Sequence, residues 1–267
     1  MNEIIFTEPM TPLMLRPESG EMTDEALCGM AASITGEERG MLRVRMRYRY
    51  EGYVEPGRVR RVESAADWES LAGHRVIAPT ADVMSEPLYE SAMLATLPRG
   101  AMFAAGNESD AAPGWLPATL AGGGRGYIRS VSVRPARKWE GPEATLRANV
   151  ISDAKLYLGA QYRWGGKSHC GLDCSGLVGA SYMLNGLYLY RDAKIVAGYP
   201  VREIPADRAK PADPMFWDGH VGLYLGEGLY IHSTQRSSGV VINSLNPSDA
   251  NFREDLATVK QWGSVFD

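Results

Sequence analysis

Short runs of alternating apolar and polar residues, each broken by glycine or proline, fill the first half of the chain. Runs of this kind predict strands joined by tight turns. They extend to about Val62 and include Tyr48-Arg49-Tyr50-Glu51-Gly52-Tyr53-Val54-Glu55-Pro56-Gly57 near the end, a pattern suited to a small β-barrel. A second block, from about Trp68 to Arg137, repeats the form, with strand candidates at 81–84, 92–100, 114–120 and 126–128. Each block ends in an aromatic-rich strand with a Gly-Tyr pair, Gly52-Tyr53 and Gly126-Tyr127. Two domains are therefore expected, over residues 1–66 and 67–137.

The period changes after Pro135. Between Pro142 and Gly159 the positions Leu146, Val150, Ala154 and Leu158 repeat every fourth residue, and the glycine supplies a stop. That spacing predicts a helix and opens a third domain over residues 138–267. Its helices come first and its strands later, at 221–225, 229–232 and 239–242. The order fits an α+β fold rather than alternating βαβ units.

Composition narrows the class. A chain of 267 residues, 45% hydrophobic and 22% charged, is an ordinary globular protein of two or three domains. No apolar run approaches the roughly 18 residues of a membrane span. The net charge is -4, and the densest basic stretch, Arg43 to Tyr50, alternates with apolar residues as a strand with one solvated face does, so nucleic acid is not an expected partner. The segment from Met1 to Pro9 lacks a basic and an apolar leader region, and the three cysteines form no framework. Both features lead us to expect a cytoplasmic protein, or a secreted or periplasmic one if a leader has been removed.

One cysteine has partners for chemistry. In Gly171-Leu172-Asp173-Cys174-Ser175-Gly176-Leu177-Val178, the apolar residues that follow Cys174 recur at helical spacing, which puts Cys174 at a helix start. There the unpaired N–H groups and the dipole favour a thiolate, the nucleophilic form. In the segment from His220 to His232 two alternating runs flank a glycine turn and predict a hairpin. Pairing Val221 with Ile231 and Leu223 with Leu229 sets His220 directly opposite His232. Nucleophile, base and orienter are then Cys174, His220 and His232. The rival is zinc bound by His169, Cys170, Cys174, His220 and His232, although Cys170-x-x-x-Cys174 lacks the two-residue knuckle and no second cysteine pair follows. No metal or other cofactor is expected.

Together these motifs resemble the NlpC/p60 family of papain-like cell-wall peptidases. The resemblance is carried by Tyr162-x-Trp164-Gly165-Gly166, Asp173-Cys174-Ser175-Gly176, Arg191-Asp192-Ala193, and His220 to Gly226 with His232 following. It implies attack of Cys174 on the amide joining γ-D-glutamate to a diamino acid in murein peptides, with Tyr162 at the oxyanion site. Asp173, Ser175, Arg191 and Asp192 would line the substrate cleft. The first two blocks resemble bacterial SH3-like domains. In enzymes so built, which release L-Ala-γ-D-Glu from a free amino terminus, an SH3-like acid receives the substrate's ammonium. Glu51, beside Tyr50, is the candidate here, together with Asp173, and a simple surface charge is the alternative for Glu51. A wall-binding protein, or a hydrolase of intact murein, is the other function such domains allow. Where the family usually reads Pro-Gly-Asp-Leu, this chain has Pro211-Ala212-Asp213-Pro214, and the proline puts the local strand pairing in question.

Overall fold

The alternation in the first half is realised as strands. In the computed structural model, which describes residues 2–266, the first block forms β1 (Glu3–Phe6), β2 (Met10–Met14), β3 (Met22–Leu27), β4 (Ala31–Glu38), β5 (Met41–Met46), β6 (Glu51–Val54) and β7 (Val59–Val62). They make one antiparallel sheet in the order β3-β2-β6-β5-β4-β1-β7. After a helix α1 (Ala65–Leu71) the second block forms β8 (His74–Val76), β9 (Thr80–Met84), β10 (Met93–Pro98), β11 (Met102–Ala105), β12 (Trp115–Thr119), β13 (Arg125–Arg129) and β14 (Val133–Pro135). Their order is β10-β9-β13-β12-β11-β8-β14. Strand for strand this is the first sheet again, and each last strand follows a short 3₁₀ turn, Pro56–Arg58 or Ser130–Ser132.

The Gly-Tyr pairs have a packing reason. A Cβ on Gly52 would lie 2.9 Å from the Leu13 Cβ of β2, and one on Gly126 would lie 2.5 Å from the Met84 carbonyl oxygen of β9, the corresponding strand. Only glycine admits such an approach. Helix α1 runs across the boundary expected at 66/67. One core cluster joins Ile5 and Cys28 of the first block to Trp68, Val76, Phe103 and Ile128 of the second. Both sheets accordingly belong to one compact unit, residues up to 136 with 168–170.

The second unit comprises residues 137–167 and those from 171 on. It opens with α2 (Glu143–Lys155); the short strand β15 (Lys167–Ser168) ends at the division between the units, and β16 (Gly171–Leu172) leads into α3 (Cys174–Met183). Then come β17 (Arg202–Ile204), β18 (Pro214–Trp217), β19 (His220–Gly226), β20 (Leu229–Thr234), β21 (Gly239–Ser244) and β22 (Gln261–Ser264), an antiparallel sheet ordered β17-β22-β18-β19-β20-β21. Leu177, Val178 and Tyr182 of α3 pack with Val150 and Ala154 of α2 and with Val221, Leu223 and Ile231 of the sheet. Burying each large apolar side chain contributes about 1.5–3 kcal/mol, and this cluster fixes α3 against β19.

Two local expectations meet their outcome here. Pro214 is the first residue of β18 and stands opposite Leu223, so the strand pairs from its start and the missing N–H disrupts no interior bond. The β19–β20 register differs from the simple hairpin. Leu223 pairs with Ile231, Tyr224 with Tyr230 and Gly226 with Leu229, with a bulge at Leu225. The turn at Glu227-Gly228 sets Gly226 against Leu229, and the ladder beyond Leu225 lies two residues from the pairing that the apolar pattern suggested, so His220 does not stand directly opposite His232.

Candidate active site

Cys174 is the first residue of α3, and Asp173 is its N-cap. The Asp173 carboxylate accepts hydrogen bonds from Gly176 N (2.6 Å), the Ser175 hydroxyl (3.1 Å) and Gly165 N (2.8 Å). Arg191 donates to both of its oxygens, at 3.0 and 2.9 Å, and also to Ser175 Oγ (2.8 Å) and the Gly166 carbonyl (3.3 Å). Asp173 and Arg191 are both buried, and removing one partner of such a pair costs about 3–5 kcal/mol. These bonds lock the Gly165-Gly166 loop and the Ser175 turn around the thiol. They also occupy the Asp173 lone pairs, so the carboxylate expected to meet an ammonium is already neutralised by a guanidinium.

The thiol itself departs from expectation. Burial pushes Cys174 up to about 11, and the charge of Asp173 adds to this, while the N–H groups of Val221 and Ser175 and the charge of Arg191 pull down. A helix start favours a thiolate, but desolvation wins here, and the resting group is a thiol. Tyr162 is half-buried and pushed up to about 12, first by burial and then by the charges that Cys174 and Asp173 would carry. Its hydroxyl is therefore a protonated donor in the neighbourhood of the thiol.

The two histidines meet although they are not opposite each other. Continuing the ladder one step places Gly222 across from His232, and a Cβ on Gly222 would lie 3.3 Å from the His232 Cβ. With no side chain there, the His220 ring reaches diagonally across, and His220 Nε2 lies 2.7 Å from His232 Nδ1. Beyond it, His232 Nε2 lies 2.8 Å from Asn243 Oδ1, and Asn243 Nδ2 donates to the Asn251 carbonyl at 2.7 Å. That last bond fixes the amide, because a carbonyl only accepts. His232 Nε2–H then donates to Asn243 and leaves Nδ1 to accept from His220 Nε2–H. His220 Nδ1 is left as the free base.

Trp217 and Tyr230 stand against these rings, at centroid separations of 5.7 Å to His220 and 4.9 Å to His232. Burial, their mutual repulsion and the charge of Arg253 pull His220 down to about 3, and burial with Arg253 pulls His232 down to about 4. Both are neutral at pH 7, as a proton acceptor and its orienter must be. Asn243 was not found from sequence. Its only signal is a polar residue at an alternate position in Val240-Val241-Ile242-Asn243, and its role depends on strand order.

Asp192 and Ser175 line one cavity with Tyr190, Lys194, Tyr199 and Val221. The Tyr190 hydroxyl is hydrogen-bonded to Asp192. Glu51 and Tyr50 lie in the first unit. The Glu51 carboxylate bridges Arg43 (2.6 Å) and Arg45 (2.5 Å), and the Tyr50 hydroxyl is 2.7 Å from Thr23 Oγ1. His169 and Cys170 also fall in the first unit and Cys174, His220 and His232 in the second. Among the described residues no group of three or more His, Cys, Asp or Glu is placed to hold a metal ion. No helix among them is long and apolar enough to cross a membrane.

Residues 159–255 match the NlpC/P60 family, and these contain Tyr162, Cys174, His220, His232 and Asn243. The chain belongs to that family and is a hydrolase, a cysteine-type peptidase. It is 38% identical over 272 residues to Dipeptidyl-peptidase 6 of Lysinibacillus sphaericus, covering 100% of both chains. It is also 29% identical to Gamma-D-glutamyl-L-lysine dipeptidyl-peptidase of Bacillus subtilis over 52% of this chain and 47% of that protein. An NlpC/P60 family protein from Bacillus cereus shares the fold at a TM-score of 0.77, with 16% identity, over 97% of this chain and 98% of its own.

Proposed function

We propose that the enzyme hydrolyses the amide between γ-D-glutamate and a diamino acid in murein peptides, acting on a free amino terminus and releasing L-Ala-γ-D-Glu. The observation that carries this reading is the relation to Dipeptidyl-peptidase 6 over the whole of both chains, which includes the non-catalytic first unit. The partial relative named for γ-D-glutamyl-L-lysine supports the bond. We read the two matched sheets as tandem SH3-like domains, on the strength of their shared strand order. Cys28, Cys170 and Cys174 are not joined in disulfides, which suits a reducing compartment and hence a cytoplasmic enzyme of small peptides.

The chemistry follows from the site. His220 Nδ1 takes the Cys174 proton as sulfur attacks the γ-carbonyl, so charge separates only when substrate arrives. The Cys174 N–H and the Tyr162 hydroxyl receive the oxyanion, a contribution of about 3–4 kcal/mol per donor in such sites. The imidazolium, held by His232 and Asn243, protonates the leaving amine. Water, deprotonated by the same imidazole, then cleaves the thioester.

For the substrate's ammonium, Asp192 is the better-placed acid. It lines the cavity beside Ser175 and is paired with a neutral tyrosine, whereas Asp173 and Glu51 are each held by arginine. The test compares L-Ala-γ-D-Glu-L-Lys with its N-acetyl form by mass spectrometry of products. The free peptide is expected to yield L-Ala-γ-D-Glu and the acetylated one to react about 100-fold or more slowly, because the half-buried Asp192 carboxylate loses its cationic partner. Asp192→Asn is expected to raise KM for the free peptide and to narrow that ratio. Equal rates would indicate a hydrolase of intact murein with wall-binding domains.

A further inference from the structure

A second cavity lies in the first unit, apart from the candidate catalytic residues. Thr80, Asp82, Tyr89, Trp115, Arg129 and Val131 line a cavity of about 250 Å³ on the second sheet. Its geometry begins with a cross-strand pair: Trp115 of β12 stands opposite Arg129 of β13. The guanidinium carbon of Arg129 is 5.1 Å from the Trp115 ring centroid and 5.4 Å from that of Tyr89, and the two rings meet edge-on at 5.3 Å. A Cβ on Gly114 would lie 3.1 Å from both Nη atoms, so the guanidinium also rests against that backbone. Rings and backbone take its faces, and its N–H edge remains.

Nothing on the chain uses that edge. Among the described residues the Arg129 side chain makes no hydrogen bond or ion pair, and its Nε–H is buried without a partner. Unmet buried donors are rare because each costs about 1–3 kcal/mol. A stacked guanidinium presents a planar fork that matches a carboxylate. Asp82 on the same rim, which accepts a hydrogen bond from Thr96 at 2.6 Å, disfavours a dianion. Tyr89 and Val131, 69% and 77% exposed, offer apolar surface beside the charge. The first sheet has Glu55 at the position that follows the strand equivalent to β13, so the feature is particular to the second block.

We infer that this cavity binds the carboxylate of a short peptide, with Arg129 as its ion-pair partner and Tyr89 and Trp115 as its walls. The site is independent of the bond the enzyme cuts. The test uses the full chain carrying Cys174→Ala, so that no probe is consumed. N-acetyl-tetraalanine and its C-terminal amide are titrated by calorimetry and by following the Trp115 indole N–H resonance. The carboxylate form is expected to bind about tenfold tighter than the amide, with the Trp115 resonance moving as the site fills. Arg129→Gln is expected to abolish the difference, and Arg129→Lys to restore only part of it. Equal binding of acid and amide to the chain with Arg129 intact, a stationary Trp115 resonance, or displacement by inorganic phosphate at equal concentration would overturn the assignment.

Discussion

The hydrogen-bond chain behind His220 runs through single atoms. Asn251 accepts from Asn243, Asn243 from His232, and His232 from His220, which leaves one imidazole nitrogen unprotonated. Breaking the chain at Asn243 releases the tautomer without touching the thiol. Asn243→Ala is therefore expected to lower kcat by about ten- to a hundredfold, the range seen when supporting partners of a catalytic group are lost. KM and the melting temperature are expected to change little. A steady-state comparison with the parent enzyme checks it, and an unchanged kcat would remove Asn243 from the mechanism. The helix start at Cys174 and the hairpin that carries His220 and His232 were legible in the sequence because both leave periodic traces. Asn243 was not, since its partner is chosen by neighbouring strands rather than by spacing. The direction of the Cys174 shift was also hidden, because it depends on how deeply the rest of the fold buries the sulfur.

Between β19 and β20 the position of the turn and one bulge decide which side chains meet. The turn pairs Gly226 with Leu229, and the bulge at Leu225 then brings Gly222 rather than Leu223 across from His232. Apolar alternation on both strands identified the hairpin and its buried face, since Val221, Leu223 and Ile231 are all in the core. It carried no trace of the bulge, because the turn Gly226-Glu227-Gly228 accepts more than one register. The empty space at Gly222 admits the His220 ring. A Cβ there meets the Ile231 carbonyl oxygen at 3.2 Å and His232 Cβ at 3.3 Å, and a larger side chain would occupy the path of the His220 ring. Gly222→Val is expected to lower kcat/KM by at least about a hundredfold, as misplacement of a catalytic group by ~1 Å does. Iodoacetamide labelling of Cys174 checks that the helix start is intact. Retained activity would show that the diagonal contact is dispensable.

At the scale of the molecule, the two blocks of the first unit were readable as a repeat because each carries the same punctuation of glycine and tyrosine. The joined core was not readable, since clusters such as Cys28 with Trp68 and Phe103 depend on how the sheets pack. In the second unit the buried histidine pair ties stability to pH. Their folded values, about 3 and about 4, lie below the ordinary histidine value of about 6.5. Between these limits the unfolded chain binds more protons than the folded one, so stability falls as pH drops below about 6.5 towards 4. The melting temperature of the second unit is expected to decrease across that window. In a His220→Asn, His232→Asn double variant the slope is expected to be shallower, and an unchanged slope would mean that the pair is not the source.

The central claim is that Cys174 forms a thioester with L-Ala-γ-D-Glu while the diamino acid departs. Rapid acid quench of the enzyme with L-Ala-γ-D-Glu-L-Lys, followed by peptide mapping and mass spectrometry, tests it most directly. The account predicts an L-Ala-γ-D-glutamyl adduct on the peptide containing Cys174, formed with release of lysine and absent from Cys174→Ala, which cuts nothing. An adduct on any other residue, or continued hydrolysis by Cys174→Ala, would contradict it.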